Sequence, residues 1–335
     1  MSILLTGGLG FIGSHVAASL LENGHDLVLV DNLSNSTKET HARLQIIAGR
    51  PIPLYIHDVR DEQALTKIFV AHPITSVLHF AGLKSVSESE KNPLKYFSNN
   101  VLGTIRLLEV MQAHGVFQLV FSSSATVYGI PHYLPYDESH PTNPINVYGH
   151  SKLQVENILT QISRADARWG IACLRYFNPL GAHASGLIGE FPNQHSTNLM
   201  PNIIRATSQP VEYVTVYGDD FNTADGTAMR DYIHIVDLAE GHIAALNLLT
   251  TQAGIHMLNL GSGTPHSVLE VLEAFGQASQ CKVPRNIGLR RAGDLPIYYA
   301  SANKANAILQ WKAKRTLVEM CDSAWNFVKH QQGNR

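Results

Sequence analysis

The sequence predicts an α/β fold in which a doubly wound parallel sheet is followed by a smaller C-terminal α/β domain. Short apolar segments alternate with amphipathic helical segments through the first half of the chain, which is typical of a parallel sheet with helices on both faces. After Tyr176 the periodicity stops, and residues 178–198 are rich in glycine, proline, asparagine and histidine. We therefore expect a first domain at 1–177, to which elements near 232–260 return, and a second at 178–335.

The strand candidates of the first half are short and mostly aliphatic. In chain order they are Ile3–Thr6, Leu27–Val30, Leu54–His57, Ser76–Phe80, Leu119–Ser122 and Ile171–Tyr176. Amphipathic helical stripes lie between them, with Val101, Ile105, Leu108 and Gln112 in one stripe and Val155, Ile158, Leu159 and Ile162 in another. The second half adds helices at 237–249, 267–279 and 316–330, a strand at Ile255–Leu260, and a second irregular segment at 218–230. Long irregular segments inside a compact protein are usually functional, so we expect a role for both.

The composition narrows the class of protein. The net charge is −2 and the pI is about 6.8, which argues against nucleic-acid or membrane-surface binding, because both need clustered Lys and Arg. Three widely separated cysteines, without a CxxC pair or a paired-histidine motif, indicate neither a disulfide framework nor a metal site. The N-terminus has no basic targeting segment, and no apolar run approaches the ~18 residues that span a bilayer. We expect a cytoplasmic protein.

A glycine-rich loop follows the first strand candidate and opens a helix. Gly7, Gly10 and Gly13 lie within it, and a tight turn of this kind lets backbone N–H groups and the helix N-terminus approach a pyrophosphate. Asp31 ends the second strand, 18 residues after Gly13. A carboxylate there hydrogen-bonds ribose hydroxyls and repels a 2′-phosphate. The loop and the acid together predict a Rossmann-type domain that binds NAD rather than NADP.

A second group of residues lies beyond the fifth strand. Ser122, Ser123 and Ser124 end that strand, and ligands of an open α/β sheet bind beyond the carboxyl ends of its strands. Tyr148 and Lys152 are four residues apart at the start of a helical pattern, so they share a helix face. A phenol with a pKa near 10 is a poor base, and we expect the Lys152 ammonium to lower that pKa. The group predicts hydride transfer, with Tyr148 taking a hydroxyl proton and Ser124 holding the oxygen.

These residues belong to longer motifs, through which the chain resembles the extended short-chain dehydrogenase/reductase family and, within it, the nucleotide-sugar 4-epimerases. The motifs cover nearly the whole chain and are TGGLGFIGSH (6–15), DNLSNS (31–36), HFAGLKSVSES (79–89), NNVLGT (99–104), FSSSATVYG (121–129), YGHSK (148–152), LRYFNPLGAH (174–183), NLMP (198–201), DGTAMRDYIH (225–234) and RRAGDLP (290–296). The resemblance implies interconversion of UDP-galactose and UDP-glucose in galactose metabolism. Hydride would pass from sugar carbon 4 to NAD, the 4-keto sugar would rotate, and hydride would return to its other face.

The resemblance also implies partners and site residues. NAD would stay bound between turnovers, and a homodimer would use helices 92–114 and 150–168. NAD would be bound by Gly7, Gly10, Phe11, Ile12, Gly13, Asp31, Asn32, Asn35, Ser36, Asp58, Val59, Phe80, Ala81, Gly82, Lys84, Asn99, Ser124, Tyr148, Lys152 and Phe177. The UDP-sugar would be held by Ser124, Tyr148, Asn178, Asn198, Leu199, Tyr217, Arg230, Arg291, Asp294 and Tyr298.

The chemistry of the substrate residues agrees with those roles. Arg230 and Arg291 suit a diphosphate, since guanidinium groups form forked, charge-assisted hydrogen bonds. Asp294 can accept hydrogen bonds from nucleoside hydroxyls, and Tyr217 can offer a ring face to uracil. Tyr298 matches the position that limits the room for a substituent on sugar carbon 2, so we expect UDP-N-acetylhexosamines to be excluded by a clash.

Other interpretations differ at identifiable points. A nucleotide-sugar 4,6-dehydratase would need an acidic residue directly after the catalytic Ser or Thr, whereas Ala125 and Thr126 follow Ser124. An epimerase of UDP-glucuronate or UDP-xylose differs mainly around sugar carbon 5 and stays open, as does a dehydrogenase that releases NADH. A catalytically silent NAD-binding regulator would usually have lost Tyr148 or Lys152, and both are present.

Overall fold

The structure is a computed structural model that describes residues 1–191, 198–208, 212–291 and 293–333. Its strands are β1 (Ser2–Thr6), β2 (Asp26–Val30), β3 (Leu54–Tyr55), β4 (Ile74–His79), β5 (Gln118–Ser124), β6 (Gly170–Tyr176), β7 (Asn178–Leu180), β8 (Val214–Tyr217), β9 (Met229–His234), β10 (Gly254–Leu260), β11 (Pro265–Ser267), β12 (Arg285–Gly288) and β13 (Ile297–Tyr298). Its helices are α1 (Phe11–Glu22), α2 (Lys38–Ala48), α3 (Glu62–Ala71), α4 (Val86–Lys91), α5 (Pro93–Tyr96), α6 (Gly103–Ala113), α7 (Val147–Ala165), α8 (Leu199–Ser208), α9 (Ile235–Leu249), α10 (Val268–Ser279), α11 (Asn303–Leu309) and α12 (Leu317–Gly333). A π-helical stretch at Phe97–Leu102 joins α5 to α6, and a short 3₁₀ turn at Ala125–Val127 follows β5.

Seven strands form one parallel sheet in the order β10-β6-β5-β4-β1-β2-β3. The chain runs from β1 outward to β3 and then returns past β1 to β4, so the direction of strand addition reverses between β1 and β4. Ligands of open α/β sheets bind at such a reversal, beyond the carboxyl ends of the strands. The predicted doubly wound, Rossmann-type parallel sheet is confirmed.

Alternate residues of these strands form a separate core on each face of the sheet. Leu5 and Leu29 face one core, which also contains apolar side chains of α1 and α9. Leu4 and Val28 face the other core, which contains side chains of α3, α6 and α7. Successive residues of a strand point to opposite faces, so a strand covered on both faces is apolar throughout. This explains the unbroken aliphatic runs in the sequence.

A third core lies among α8, α10, α12 and the shorter strands. Strand β9 pairs antiparallel with β11 and parallel with β7 and β13, while β8 pairs with β12. The β9–β13 register places Arg230 opposite Tyr298. Across the described parts of the chain, no helix combines the length and apolarity needed to cross a bilayer.

Several details differ from the sequence predictions. The strand expected at Leu54–His57 ends at Tyr55, because β3 is an edge strand whose pairing with β2 stops there. The strand expected at Ser76–Phe80 instead runs from Ile74 to His79. The irregular segment expected at 178–198 begins with a short strand, β7, and its residues 192–197 lie outside the described residues.

The helical stripe expected around Leu108 is also rotated. The buried face of α6 consists of Gly103, Thr104, Leu107, Leu108, Val110 and Met111. Of the four expected stripe residues, Gln112 is exposed and Val101 and Ile105 are half-buried. A π-helical turn contains more residues than an α-helical turn, so Val101, in the stretch Phe97–Leu102, is out of phase with α6. Ile105 and Gln112 lie beside the buried face within α6 itself.

Candidate active site

The glycine-rich loop closes tightly between β1 and α1. Gly7 has a φ of +68°, which side chains other than glycine rarely adopt, and a Cβ there would lie 2.6 Å from the backbone nitrogen of Ala81. A Cβ on Gly13 would lie 2.3 Å from the carbonyl oxygen of Gly7. Gly10 begins α1 without a side-chain cap, which leaves the first N–H groups for an external acceptor. Phe11 and Ile12 form that first turn, and the arrangement favours an anion such as a pyrophosphate.

Asp31 ties this loop to the segment after β2. Its carboxylate accepts hydrogen bonds from the backbone N–H of Leu9 at 3.0 Å and of Leu33 at 2.9 Å, and from the hydroxyl of Ser36 at 2.7 Å. The side chain is buried beside the loop. Glycines that a Cβ would obstruct, together with a carboxylate at the end of β2, fit a dinucleotide such as NAD.

Asp58 is held by two partners at the carboxyl end of β3. It accepts from Asn32 Nδ2 at 3.1 Å and from Arg60 Nε at 2.8 Å. The hydrogen bond from Arg60 lowers the pKa of Asp58 to about 2, against the effect of burial. Val59 packs against Gly103, where a Cβ would come within 2.7 Å of Val59 Cγ1. The sequence reasoning did not identify Arg60, which fixes the charge of Asp58.

The segment after β4 connects the glycine-rich loop to α7. A Cβ on Gly82 would lie 3.4 Å from Lys152 Nζ, so the chain passes close to the ammonium. Asn100 is buried at this junction. Its side chain accepts from the N–H of Leu83 at 2.8 Å and donates to Ser151 Oγ at 3.0 Å. The neighbouring residues expected to bind the cofactor, which lie on the same segment and on the following π-helical stretch, are Phe80, Ala81 and Asn99.

Ser124, Tyr148 and Lys152 are neighbours at the carboxyl end of β5. Lys152 Nζ donates a 2.8 Å hydrogen bond to the carbonyl oxygen of Ser122 and lies 5.9 Å from the centre of the Tyr148 ring. Ser124 Oγ accepts from Thr126 Oγ1 at 2.9 Å and lies near enough to the Tyr148 phenol to favour its ionised form. A hydroxyl, a phenol and an ammonium thus converge where a ligand of the sheet would bind.

The electrostatics at Tyr148 differ from the sequence prediction. Burial raises the pKa of Tyr148 to about 12, although the hydrogen bond with Ser124 acts in the opposite direction. Burial also lowers the pKa of Lys152 to about 8, and the charge of Glu156 partly opposes that change. In the protein alone the pKa of Tyr148 is therefore raised rather than lowered as expected, because burial disfavours the phenolate. A phenolate here needs more positive charge than Lys152 provides.

The first turn of α7 fixes the position of these side chains. Asn146 caps the helix by accepting from the N–H of Gly149 at 2.8 Å, and the Tyr148 N–H donates to Ser89 Oγ at 3.1 Å. A Cβ on Gly149 would lie 2.9 Å from the carbonyl oxygen of Thr126. The glycine after Tyr148 therefore lets α7 approach the turn that follows Ser124.

Arg230 and Asp294 form an ion pair beside β9 and β13. Arg230 Nη1 donates to the carbonyl oxygens of Leu295 at 2.7 Å and of Met229 at 2.9 Å, and Nη2 lies 3.3 Å from Asp294 Oδ1. Two residues expected at the substrate are thus held together by the chain itself. Their positions are set before any ligand arrives.

Tyr217 and Arg291 form a second pair near the end of β8. The guanidinium carbon of Arg291 lies 3.8 Å from the centre of the Tyr217 ring, within the range of a cation–π contact. The ring is 38% exposed. Arg291 therefore covers one of the two ring faces that Tyr217 could offer to uracil.

An aromatic wall, defined by Tyr128, Tyr136, Phe177 and Tyr298, lies beyond β6. The Tyr298 ring centre is 5.0 Å from that of Phe177 and 5.1 Å from that of Tyr136, and Tyr136 stacks on Tyr128 at 4.9 Å. Burial raises the pKa of Tyr298 well above its usual value, and Tyr148 is close enough to add to this rise. Tyr298 is thus held by packing near the Tyr148 phenol.

Glu190 was missed by the sequence reasoning. Its carboxylate lies 3.3 Å from Lys84 Nζ and accepts from Asn198 Nδ2 at 2.6 Å. Lys84 is expected at the cofactor and Asn198 at the substrate, so Glu190 joins the two sets. It lies in a segment without periodicity, where no sequence signal marked it. Of the remaining expected residues, Asn35 and Asn178 are exposed and Leu199 is half-buried at the start of α8.

The comparisons with known proteins agree with this geometry. The model of the NAD dependent epimerase/dehydratase family matches residues 3–261. The UDP-glucose 4-epimerase of Neisseria meningitidis serogroup B is 50% identical over 329 residues, which cover 98% of this chain and 97% of that protein. The structure of UDP-glucose-4-epimerase from Stenotrophomonas maltophila, with bound NAD and formylated UDP-arabinopyranose, superposes with a TM-score of 0.97 at 44% identity over 100% of both chains.

The structure of UDP-glucose 4-epimerase from Bifidobacterium longum, in complex with NAD+ and UDP, has a TM-score of 0.95 at 44% identity, again over 100% of both chains. Identity of this extent over whole chains, together with a family match that covers most of the residues, leaves one assignment. The chain belongs to the NAD dependent epimerase/dehydratase family.

Proposed function

We propose that this protein interconverts UDP-galactose and UDP-glucose by NAD-dependent epimerisation at sugar carbon 4. The 4-keto sugar rotates within the site and hydride returns to its other face, so that the configuration at carbon 4 is inverted without net oxidation. The observation that carries the proposal is the convergence of Ser124, Tyr148 and Lys152 beyond β5, beside a loop that fits a dinucleotide. The relatives that align with this chain over nearly their full length are UDP-glucose 4-epimerases, which supports the same reaction.

Tyr148 exchanges a proton with the 4-hydroxyl of the sugar, and Ser124 hydrogen-bonds the same oxygen. Moving the Tyr148 pKa from about 12 to near 7 requires about 7 kcal/mol, whereas one nearby cation supplies about one to three pKa units. NAD, when bound, supplies the acceptor and donor of hydride for carbon 4 and, in its oxidised form, a second positive charge. Lys152 contributes the first charge and also holds the nicotinamide ribose.

The remaining residues hold the two ligands. Gly7, Gly10, Gly13 and Asp31 bind NAD, with the other members of the cofactor set named above. Arg230 and Arg291 bind the diphosphate, since forked, charge-assisted hydrogen bonds suit phosphate oxygens. The nucleoside and the sugar are held by Asn178, Asn198, Leu199, Tyr217, Asp294 and Tyr298. Ala125 and Thr126 after Ser124 argue against a dehydratase, because elimination of water needs an acid there.

The proposal extends to the domains, the oligomeric state and the cellular compartment of the protein. Residues 1–177, joined by the returning elements α9 and β10 near 232–260, form the NAD-binding domain, and residues 178–335 form the UDP-sugar domain. The protein acts as a homodimer through helices 92–114 and 150–168, which is supported by exposed apolar side chains at Leu94 (83%) and Leu102 (41%). Three free cysteines fit the reducing cytoplasm.

One experiment tests the function directly. Purified protein is mixed with UDP-galactose, no NAD is added, and UDP-glucose is followed with time. We expect conversion to an equilibrium mixture, because tightly bound NAD is regenerated in every turnover. No conversion, or lasting NADH absorbance with release of the keto sugar, would reject epimerisation in favour of binding alone or of simple dehydrogenation.

A further inference from the structure

The three serines at the end of β5, Ser122, Ser123 and Ser124, make contacts on both faces of the sheet. Ser124 reaches Tyr148, and the Ser122 carbonyl accepts from Lys152, as described above. Ser123 points to the face covered by α7, where its hydroxyl donates a 2.6 Å hydrogen bond to Glu156 Oε1. Glu156 follows Lys152 by one helical turn, so Tyr148, Lys152 and Glu156 form one line along α7.

Glu156 is anchored by a buried arginine on the next strand. Arg175 lies opposite Ser123 in the β5–β6 register. It donates to Glu156 through Nε at 2.9 Å and Nη2 at 2.6 Å, and the two residues are 5% and 1% exposed. A buried ion pair is weak evidence for stability, because neutral side chains of similar volume are often as stable. Three charge-assisted hydrogen bonds on one carboxylate are, however, a strong constraint on helix position.

The fixed position of Glu156 also affects the charge state of Lys152. The neighbours of Lys152 are the Ser122 carbonyl, the Phe121 ring, His79, Tyr148 and Glu156. The Tyr176 phenol lies next to this group, hydrogen-bonded to the Ser122 hydroxyl. Burial lowers the pKa of His79 to about 3 and raises those of Tyr148 and Tyr176, so these groups are uncharged near neutral pH. Within this described set, Glu156 supplies the negative charge nearest the ammonium, and Arg175 stands behind it.

We propose that Glu156 is a positioning residue for Lys152. Held by Ser123 and Arg175, it fixes the register of α7 against β5 and keeps the Lys152 side chain as an ammonium beside Tyr148. This inference rests on the proposed function for the role of Lys152. It does not place Glu156 in contact with substrate or cofactor.

The negative charge of Glu156 determines the direction in which its removal shifts the pH dependence of kcat. Glu156 favours the ammonium, so its removal lowers the pKa of Lys152 further below its ordinary value. Activity that needs the ammonium is lost as pH rises through that pKa. In Glu156→Gln the alkaline loss of kcat therefore begins at lower pH, and we expect a shift of about one pH unit.

The test compares Glu156→Gln with the double variant Glu156→Gln/Arg175→Met. The double variant replaces both buried charges by neutral side chains, so it avoids an unpaired guanidinium and is expected to fold. The matched control is Glu109→Gln, which removes a surface carboxylate paired with Arg106. Each protein is purified with its bound cofactor, its kcat is measured from pH 6 to 10, and the Lys152 ammonium is titrated by NMR after ε-¹³C-lysine labelling. The Lys152 signal is assigned by its absence from Lys152→Met.

We expect Glu156→Gln to titrate Lys152 at clearly lower pH than the parent. The double variant should show a smaller shift in the same direction, because loss of the more distant Arg175 charge partly offsets loss of Glu156. Glu109→Gln should match the parent. If Lys152 titrates as in the parent in the folded double variant, the inference is overturned and the ion pair is structural only. The NMR titration is independent of turnover. A parent protein that fails to convert UDP-galactose would reject the proposed function, while the titration would still decide the role of Glu156.

Discussion

The ammonium nitrogen of Lys152 lies 5.9 Å from the centre of the Tyr148 ring, one turn further along the same face of α7. Burial moves both groups toward their neutral forms, with the pKa of Tyr148 near 12 and that of Lys152 near 8. The same low polarity strengthens the attraction between them once both are charged. Under the proposed function, Tyr148 therefore needs a positive charge in addition to that of Lys152 before it can accept a proton.

Tyr148→Phe removes the proton acceptor and retains the packed ring. We expect turnover of UDP-galactose to fall by about 10² to 10⁴-fold, the usual contribution of a general base. The cofactor content, measured after denaturation of the purified protein, should be unchanged, because the glycine-rich loop and Asp31 are intact. Tyr213→Phe is the control, since Tyr213 is 57% exposed. A Tyr148→Phe protein within tenfold of the parent would remove Tyr148 from the reaction.

Two adjacent arginines allow a matched test of diphosphate binding. Arg290 Nε donates to Asp220 at 2.6 Å, and its guanidinium lies over Phe221. Arg291 stacks on Tyr217 instead. We expect Arg291→Gln to raise KM for UDP-galactose by about tenfold or more, the value of a charge-assisted hydrogen bond, with little change in kcat. Arg290→Gln should leave KM near the parent value. Equal effects of the two substitutions on KM would show that Arg291 acts through general charge.

Local patterns were sufficient to predict the strands and the parallel, doubly wound class of the sheet, whereas the strand order came only from the structure. Apolar runs indicated strands covered on both faces, and the run Leu27–Val30 placed Asp31 at the end of the second strand. Glu190 could not be found in this way. It contacts Lys84, which is 106 residues away, from a segment without periodicity.

The pairings of the shorter strands were also beyond the sequence pattern. β13 has two residues and pairs with β9. In this pairing Tyr298 lies opposite Arg230, which is 68 positions earlier in the chain. Two residues cannot display an alternating pattern, so such a strand exists only because tertiary packing forms it. The pKa of Tyr148 was mispredicted for a related reason. Spacing along α7 showed the nearby cation, whereas burial depends on the whole surrounding fold.

Tyr298 provides a test of substrate size. Its ring is held between Tyr136 and Phe177 at about 5 Å from each, so it cannot easily turn away from a bulky group on sugar carbon 2. We expect the parent to convert UDP-galactose much faster than UDP-N-acetylgalactosamine. Tyr298→Ser should raise activity on the N-acetyl sugar, because removing a clash has a larger effect than losing a contact. Tyr298→Phe retains the ring and should keep the parent preference. A parent that turns over both sugars equally would contradict the assignment.

His242 predicts how stability depends on pH. It is fully buried on α9 between Phe80 and Tyr176, and burial lowers its pKa from 6.5 to about 4. Between these two values the unfolded chain binds a proton that the folded protein does not, so acid favours unfolding. The free energy of unfolding should fall by about 1.4 kcal/mol per pH unit from this group as pH decreases from about 6.5 toward 4.

His242→Leu replaces the titrating imidazole by an apolar side chain of similar size in the same core. Urea unfolding at fixed protein concentration, compared between pH 7 and pH 5, should show a loss for the parent that exceeds the variant's loss by about 2 kcal/mol. Leu246→Ala, one turn further along α9, is the control, because a cavity lowers stability at both pH values alike. Equal losses for the parent and His242→Leu would mean that His242 has the same pKa in the folded and unfolded states, and that burial does not lower it.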